Sequence, residues 1–134
     1  MARILYLDDE EPLAFLVSRM LQVLGYEAVV FTDPQEAVAA FRAAPESFAL
    51  VLTDLSMPAM NGIDFARAIL ELRKDAAVAV LTGHALPKDV EAAREAGLIG
   101  VMQKPGTLQQ MEQALSELLK ASGTALKLSP ADAR

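Results

Sequence analysis

Apolar positions follow two alternating rhythms along the chain. Ile4–Leu7, Ala28–Phe31, Phe48–Thr53, Val78–Thr82 and Ile99–Met102 are short, nearly continuous apolar runs, the pattern of strands covered on both faces. Leu13, Leu16, Val17, Met20, Leu21 and Leu24 keep helical spacing and stop at Gly25, which predicts a helix between the first two runs. Thr32-Asp33-Pro34 reads as a turn opening a second helix with proline in its first turn; Val38 and Phe41 share a face, and the helix ends before Pro45. After a loop holding Pro58, Asn61 and Gly62, a third helix carries Phe65, Ala66, Ile69 and Leu72. A weaker one runs from about Lys88 to Ala96, with Gly97 as its C-cap. The last shows Leu108, Met111, Leu115, Leu118 and Leu119 at helical spacing. Strands alternating with helices predict an α/β fold, a doubly wound five-stranded parallel sheet with helices on both faces. Periodicity fades from Ser122 onward, so residues 1–121 read as one domain and 122–134 as a flexible tail or truncated linker.

Composition narrows the picture. At 134 residues, 53% hydrophobic and 22% charged, the chain suits a single domain able to bury roughly two-thirds of its unfolded surface. The absence of cysteine removes disulfides, thiolate zinc sites and cysteine nucleophiles and fits a reducing compartment. The N-terminus lacks the features of a signal peptide, and no stretch approaches the ~20 apolar residues that span a bilayer. A soluble, cytoplasmic protein without a membrane partner is expected. The net charge of −6 and scattered basic residues argue against direct nucleic-acid binding.

The polar exceptions to the apolar runs carry the chemistry. The first run ends in Asp8-Asp9, the third in Asp54, the fourth in Thr82, and the fifth just before Lys104. In an open parallel sheet ligands bind outside the carboxyl ends of the strands. If the first and third strands are neighbours, at ~4.8 Å spacing, then Asp8, Asp9 and Asp54 share one small pocket. Three close carboxylates repel, so either their pKa values rise or a cation neutralises them. An all-oxygen set suits Mg²⁺. Lys104 adds a fixed positive charge, Thr82 a hydroxyl, and Asp54 a carboxylate able to become an acyl phosphate. Singly, each has a plainer reading: the Asp8–Glu11 acids as a helix cap, Asp54 as a turn cap, Thr82 as a strand end, Lys104 as a surface lysine before a turn. Their joint occurrence at strand ends favours the chemical one.

Four blocks then carry a resemblance: Ile4-Leu5-Tyr6-Leu7-Asp8-Asp9-Glu10; Leu52-Thr53-Asp54-Leu55-Ser56-Met57-Pro58 with Asn61-Gly62; Leu81-Thr82-Gly83; and Ala96-Gly97 with Lys104-Pro105. Over about residues 3 to 120 the chain resembles the receiver domain of two-component response regulators. The resemblance implies a flavodoxin-like fold of strand order 2-1-3-4-5, with Asp54 as phosphoacceptor. Asp9 would bind Mg²⁺ directly and Asp8 through water, with Asp54 and the Ser56 backbone carbonyl completing the ligands. Lys104 would pair with the phosphoryl group before a cis Pro105, and Thr82 would be the switch hydroxyl. The phosphodonor would be a phosphohistidine on a histidine kinase or phosphotransfer domain, or acetyl phosphate. Such a domain is a signalling phosphoacceptor that assists its own phosphorylation and dephosphorylation, from a stand-alone regulator or a hybrid histidine kinase. Its output would be the surface of helix four, strand five and helix five, with homodimerisation a family possibility; the output partner is not legible.

Three positions depart from or extend that pattern. Receivers often place Tyr or Phe three residues before the lysine, and Val101 stands there, which puts the relay to the output surface in doubt. Ser56 and His84 flank the expected path of an attacking water, although His84 reads equally as a solvated loop residue. The alternative function is an Asp-nucleophile phosphatase of the haloacid-dehalogenase type. Those enzymes carry a second acid two residues past the nucleophile, where this chain has Ser56, and a cap insertion that it lacks. Flavin binding is disfavoured by the acids after the first strand, which repel phosphate.

Overall fold

The computed structural model describes residues 3–122. In chain order the elements are β1 (Arg3–Leu7), α1 (Glu11–Val23), β2 (Glu27–Phe31), α2 (Pro34–Ala43), a 3-10 turn (Pro45–Ser47), β3 (Leu50–Asp54), α3 (Gly62–Leu72), β4 (Val78–Thr82), α4 (Pro87–Ala96), β5 (Gly100–Gln103) and α5 (Leu108–Ser122). All strand pairs are parallel, in the order β2-β1-β3-β4-β5, as the resemblance implied. Residues 123–134, most of the expected tail, lie outside the described residues. No helix among the described residues is long and apolar enough to cross a membrane.

Alternation along the strands divides the core in two. Ile4, Tyr6, Leu50, Leu52, Ala79 and Leu81 pack against Val17 and Leu21 of α1 and Met111, Leu115 and Leu118 of α5. Leu5, Leu7, Val51, Val78 and Val80 face Phe41 of α2, Phe65 and Ile69 of α3 and Ala93 of α4. Both faces of β1, β3 and β4 are therefore covered, which is why these strands read as continuous apolar runs.

The helix boundaries follow local chemistry. Asp33 caps α2 by accepting the Gln35 N–H at 3.0 Å, with Pro34 behind it, and Asn61 caps α3 by accepting the Ile63 N–H at 2.7 Å. Gly25 and Gly97 follow α1 and α4 with φ of 99° and 94°, a left-handed conformation that costs glycine nothing.

Two exposed leucines and one strand boundary depart from the simple apolar pattern. Leu16 keeps the helical spacing of α1 but is 45% exposed; Ala14, Val17, Ser18, Met20 and Leu21 form the buried arc, and Leu16 lies beyond its flank. Similarly, Leu108 is 42% exposed at the start of α5. Phe48 precedes β3 rather than opening it: its ring stacks on Phe41 at 5.9 Å, and pairing with β1 begins at Leu50.

Candidate functional site

The sheet reverses its order between β1 and β3: from β1 the chain steps outward to β2, then returns to β3 on the other side. Helices leave these neighbouring strands on opposite faces, so a crevice opens at their carboxyl ends. Register places Leu7 opposite Thr53, which brings Asp8 and Asp54 together one step further along. Carboxylate oxygens of Asp8, Asp9 and Asp54 all lie within 4.8 Å of one another. Asp8 and Asp54 are buried, with Asp9 more open.

Lys104 comes from the loop after β5, anchored by its own N–H donating to the Thr82 carbonyl at 2.8 Å. Its Nζ lies 2.9 Å from Asp8 Oδ2 and 3.3 Å from Asp54 Oδ1. The ammonium thus bridges the two buried acids. It does so without the cis bond expected before Pro105, because the described residues contain no cis peptide. The trans form is the ordinary preference even before proline, and the lysine reaches both carboxylates from it.

Backbone donors complete the frame. The Glu10 N–H donates to Asp8 Oδ1 at 3.0 Å and the Leu55 N–H to Asp54 Oδ1 at 2.9 Å. Thr82 closes β4 at the same edge, buried, with its Oγ1 3.5 Å from the His84 N–H. Ser56 and His84 are exposed in the loops after β3 and β4, and Val101 is half-buried against the α3–α4 side of the core. Asp8, Asp9, Asp54 and Lys104 are therefore brought into one cluster, with Thr82 at its rim.

Two residues enter the site without a prior assignment of role. The Tyr6 hydroxyl donates to Asp8 Oδ2 at 2.7 Å. A signal was available: Asp8 follows β1 directly and lies two positions after Tyr6, so the two share a face, and a buried phenol needs a hydrogen-bond partner. Gly62 lies so close to β3 that a Cβ built on it would stand 2.1 Å from the Asp54 backbone oxygen. Nothing in the local sequence reports that distance.

The electrostatics favour an added cation. Three carboxylates face one ammonium, leaving a surplus of negative charge. Burial raises the Asp54 carboxyl above its ordinary range; the Lys104 charge opposes this, Asp8 reinforces it, and the net shift is upward. Burial alone would lower Lys104, but the hydrogen bond and charge of Asp8, then Asp54, outweigh it and raise the ammonium. Burial, followed by the bond to Asp8, likewise pushes the Tyr6 phenol up, so it stays a donor. A hard divalent ion taking carboxylate oxygens fits this donor set.

A stability prediction follows from Asp54. Its folded pKa lies above its unfolded value, so its contribution is complete below about pH 4 and is lost as pH rises through the folded pKa. Ionised Asp54 therefore opposes folding of the metal-free protein near neutrality. Asp54→Asn, neutral at every pH, is expected to raise the thermal midpoint by about 2–5 °C in chelator at neutral pH, and the gain should shrink toward acid. Circular dichroism melts across that range check it; a lower midpoint for the variant at neutral pH contradicts the surplus-charge account.

Comparisons with known proteins show the family and the fold. The response regulator receiver domain profile matches residues 4–116. The chain is 34% identical over 105 residues to a response regulator receiver protein of Anaeromyxobacter, covering 78% of this chain and 43% of that protein. It is 32% identical over 125 residues to the response regulator receiver protein CpdR of Brucella abortus, covering 91% of this chain and all of that one. It thus spans less than half of one relative and the whole of the other. A receiver domain crystal structure from Clostridium thermocellum superposes with a TM-score of 0.82 at 27% identity, covering 96% of this chain and 99% of that one. Profile, relatives and fold converge, and the chain belongs to the response regulator receiver domain family.

Proposed function

We propose that this chain accepts a phosphoryl group on Asp54 from a phosphohistidine of a histidine kinase or phosphotransfer domain. Receiver domains are signalling domains of two-component systems, generally bind Mg²⁺, and interact with such partners. The observation that carries the reading here is the single cluster of Asp8, Asp9, Asp54 and Lys104 at the sheet's reversal point.

The chain's residues divide the work. Asp54 Oδ1 accepts the Leu55 N–H and faces Lys104, so attack on phosphorus is assigned to Oδ2. A P–O bond forms, the P–N bond of the donor breaks, and the departing imidazole keeps the electron pair. Lys104 neutralises charge on the transferred oxygens, and Thr82 supplies a hydroxyl to one of them. Asp9, Asp54 and the Ser56 carbonyl would hold Mg²⁺ directly and Asp8 through water. When bound, the ion would supply charge neutralisation. Ser56 and His84, exposed at the mouth, are assigned to the approach of hydrolytic water. The packed Val101 leaves the switch on the α4–β5–α5 surface to run without an aromatic ring.

Incubation with Mg²⁺ and acetyl phosphate, followed by intact-mass measurement, tests this directly. One added phosphoryl group is expected on the unsubstituted protein, absent in Asp54→Ala and in chelator. Modification that persists in Asp54→Ala overturns the assignment. Turnover of small phosphomonoesters would point instead to the phosphatase reading, which no feature of the site favours.

A further inference from the structure

Tyr6 has no part in the chemistry just described, yet it touches the site. It is fully buried on β1, between Val30 of β2 and Leu52 of β3, in the core half that contains Met111 and Leu115. An aliphatic side chain would suit that slot without bringing a polar atom to be satisfied. The phenol instead sends its hydroxyl to Asp8 Oδ2 at 2.7 Å. That oxygen also meets Lys104 Nζ at 2.9 Å, while Oδ1 takes the Glu10 N–H. Asp8 is fully buried, so its carboxylate depends on these donors rather than on bulk water.

Lys104 is the shared member, since it also faces Asp54 at 3.3 Å. When a phosphoryl group sits on Asp54, the lysine serves two anions at once and must lean away from Asp8. A buried carboxylate that loses a charge-assisted donor is costly unless another donor stays. Tyr6 is held in place by packing on both sides and does not need to move. We infer that Tyr6 is a positioning residue whose hydroxyl keeps Asp8 satisfied while Lys104 turns to the phosphoryl group, easing the lysine's release. The inference rests on the phosphoacceptor reading above.

Its test uses beryllofluoride with Mg²⁺ as the phosphoryl mimic, with binding followed by amide NMR. Tyr6→Phe keeps the ring and deletes only the hydroxyl. Its affinity for beryllofluoride at saturating Mg²⁺ is expected to fall about tenfold, the scale of one hydrogen bond to a charged group. Its affinity for Mg²⁺ alone should stay within about twofold, because Lys104 still covers Asp8 in the resting state. Unchanged beryllofluoride affinity overturns the inference, and so does an equal loss of both affinities, which would make Tyr6 a general prop of Asp8. A second measurement leaves the hydroxyl in place. With 3-fluorotyrosine in both tyrosine positions, and Tyr26→Phe to assign them, the Tyr6 fluorine resonance should shift on adding beryllofluoride beyond its response to Mg²⁺. A resonance that stays put while the Asp54 region responds overturns the inference even if Tyr6→Phe fails to fold. If the unsubstituted protein binds no beryllofluoride, the phosphoacceptor reading itself falls.

Discussion

Lys104→Ala is expected to cost the metal-free protein about 3–5 kcal/mol of folding stability, the range seen when one partner of a buried ion pair is removed. The lysine side chain is 14% exposed, and the two it bridges are 0% and 9% exposed. Without it, Asp8 and Asp54 confront each other with only backbone donors and Tyr6 for relief. One escape exists: Asp54 already holds its proton more tightly than an ordinary aspartate, and protonation would remove the repulsion. The loss should therefore be largest at neutral pH and smaller in weak acid. On the alkaline side the sign runs the other way. The folded pKa of Lys104 is raised, so its contribution is complete below about pH 10.4 and fades only as pH climbs through the folded value.

Mg²⁺ should separate this effect from simple core damage. Lys104 and an added cation both answer the negative charge of Asp8 and Asp54, so the variant is expected to bind Mg²⁺ more tightly than the unsubstituted protein. At a hundred times its dissociation constant, a ligand of the folded state returns about 2.7 kcal/mol. Urea unfolding with and without Mg²⁺ measures both quantities. Phosphorylation should nonetheless slow by about 10²–10³, the usual loss when one preorganised charge-stabilising group is deleted. A variant as stable as the unsubstituted protein in chelator would mean that the bridge carries no net energy.

The parts of this fold that could be read from sequence are those written in local pattern. The Val78–Thr82 strand and the Asp33 and Gly97 helix boundaries follow from runs, caps and turns whose causes lie within a few residues. Where a side chain belongs to a packed cluster, pattern loses its hold. Leu16 keeps helical spacing yet faces outward, and Phe48 extends an apolar run yet serves a loop, because their neighbours come from elsewhere in the chain. The strand order came from resemblance, since parallel pairing leaves no mark on periodicity. The site behaves in the same way. Polar residues at run ends pointed to Asp8, Asp9, Asp54 and Lys104, but the bridge from Lys104 to Asp8 spans 96 positions and only the fold supplies it. Tyr6 looked like one more apolar strand residue, although its spacing from Asp8 was there to be used.

Gly62→Ala is expected to destabilise the protein by about 3 kcal/mol or more, at the upper end of overpacking costs. Alanine is the better helix former by about 1 kcal/mol in a helix interior, so propensity alone would favour it, though less at the first position of α3. Space decides against it. The added Cβ would stand 2.1 Å from the Asp54 oxygen, 3.0 Å from the Asp54 carbonyl carbon and 3.0 Å from Leu55 Cα. All three are backbone atoms, so no rotamer change relieves the overlap. The Gly62 N–H is also tied to the Leu55 carbonyl at 2.7 Å, so α3 retreats only by breaking that bond. Gly97→Ala makes a useful control: its φ of 94° strains alanine, but the nearest atom is Leu70 Cδ1 at 3.6 Å, so only the backbone conformation is penalised, at about 1 kcal/mol. Thermal midpoints should fall by about 10 °C for Gly62→Ala and by a few degrees for Gly97→Ala. Mg²⁺ should recover little of the first loss, in contrast to Lys104→Ala, because the methyl displaces the end of β3 that carries Asp54 and so spoils the carboxylate cluster as well. A Gly62→Ala protein with an unaltered melt and full Mg²⁺ affinity would show that β3 and α3 part easily, and the close seating assigned to Asp54 would be lost with it.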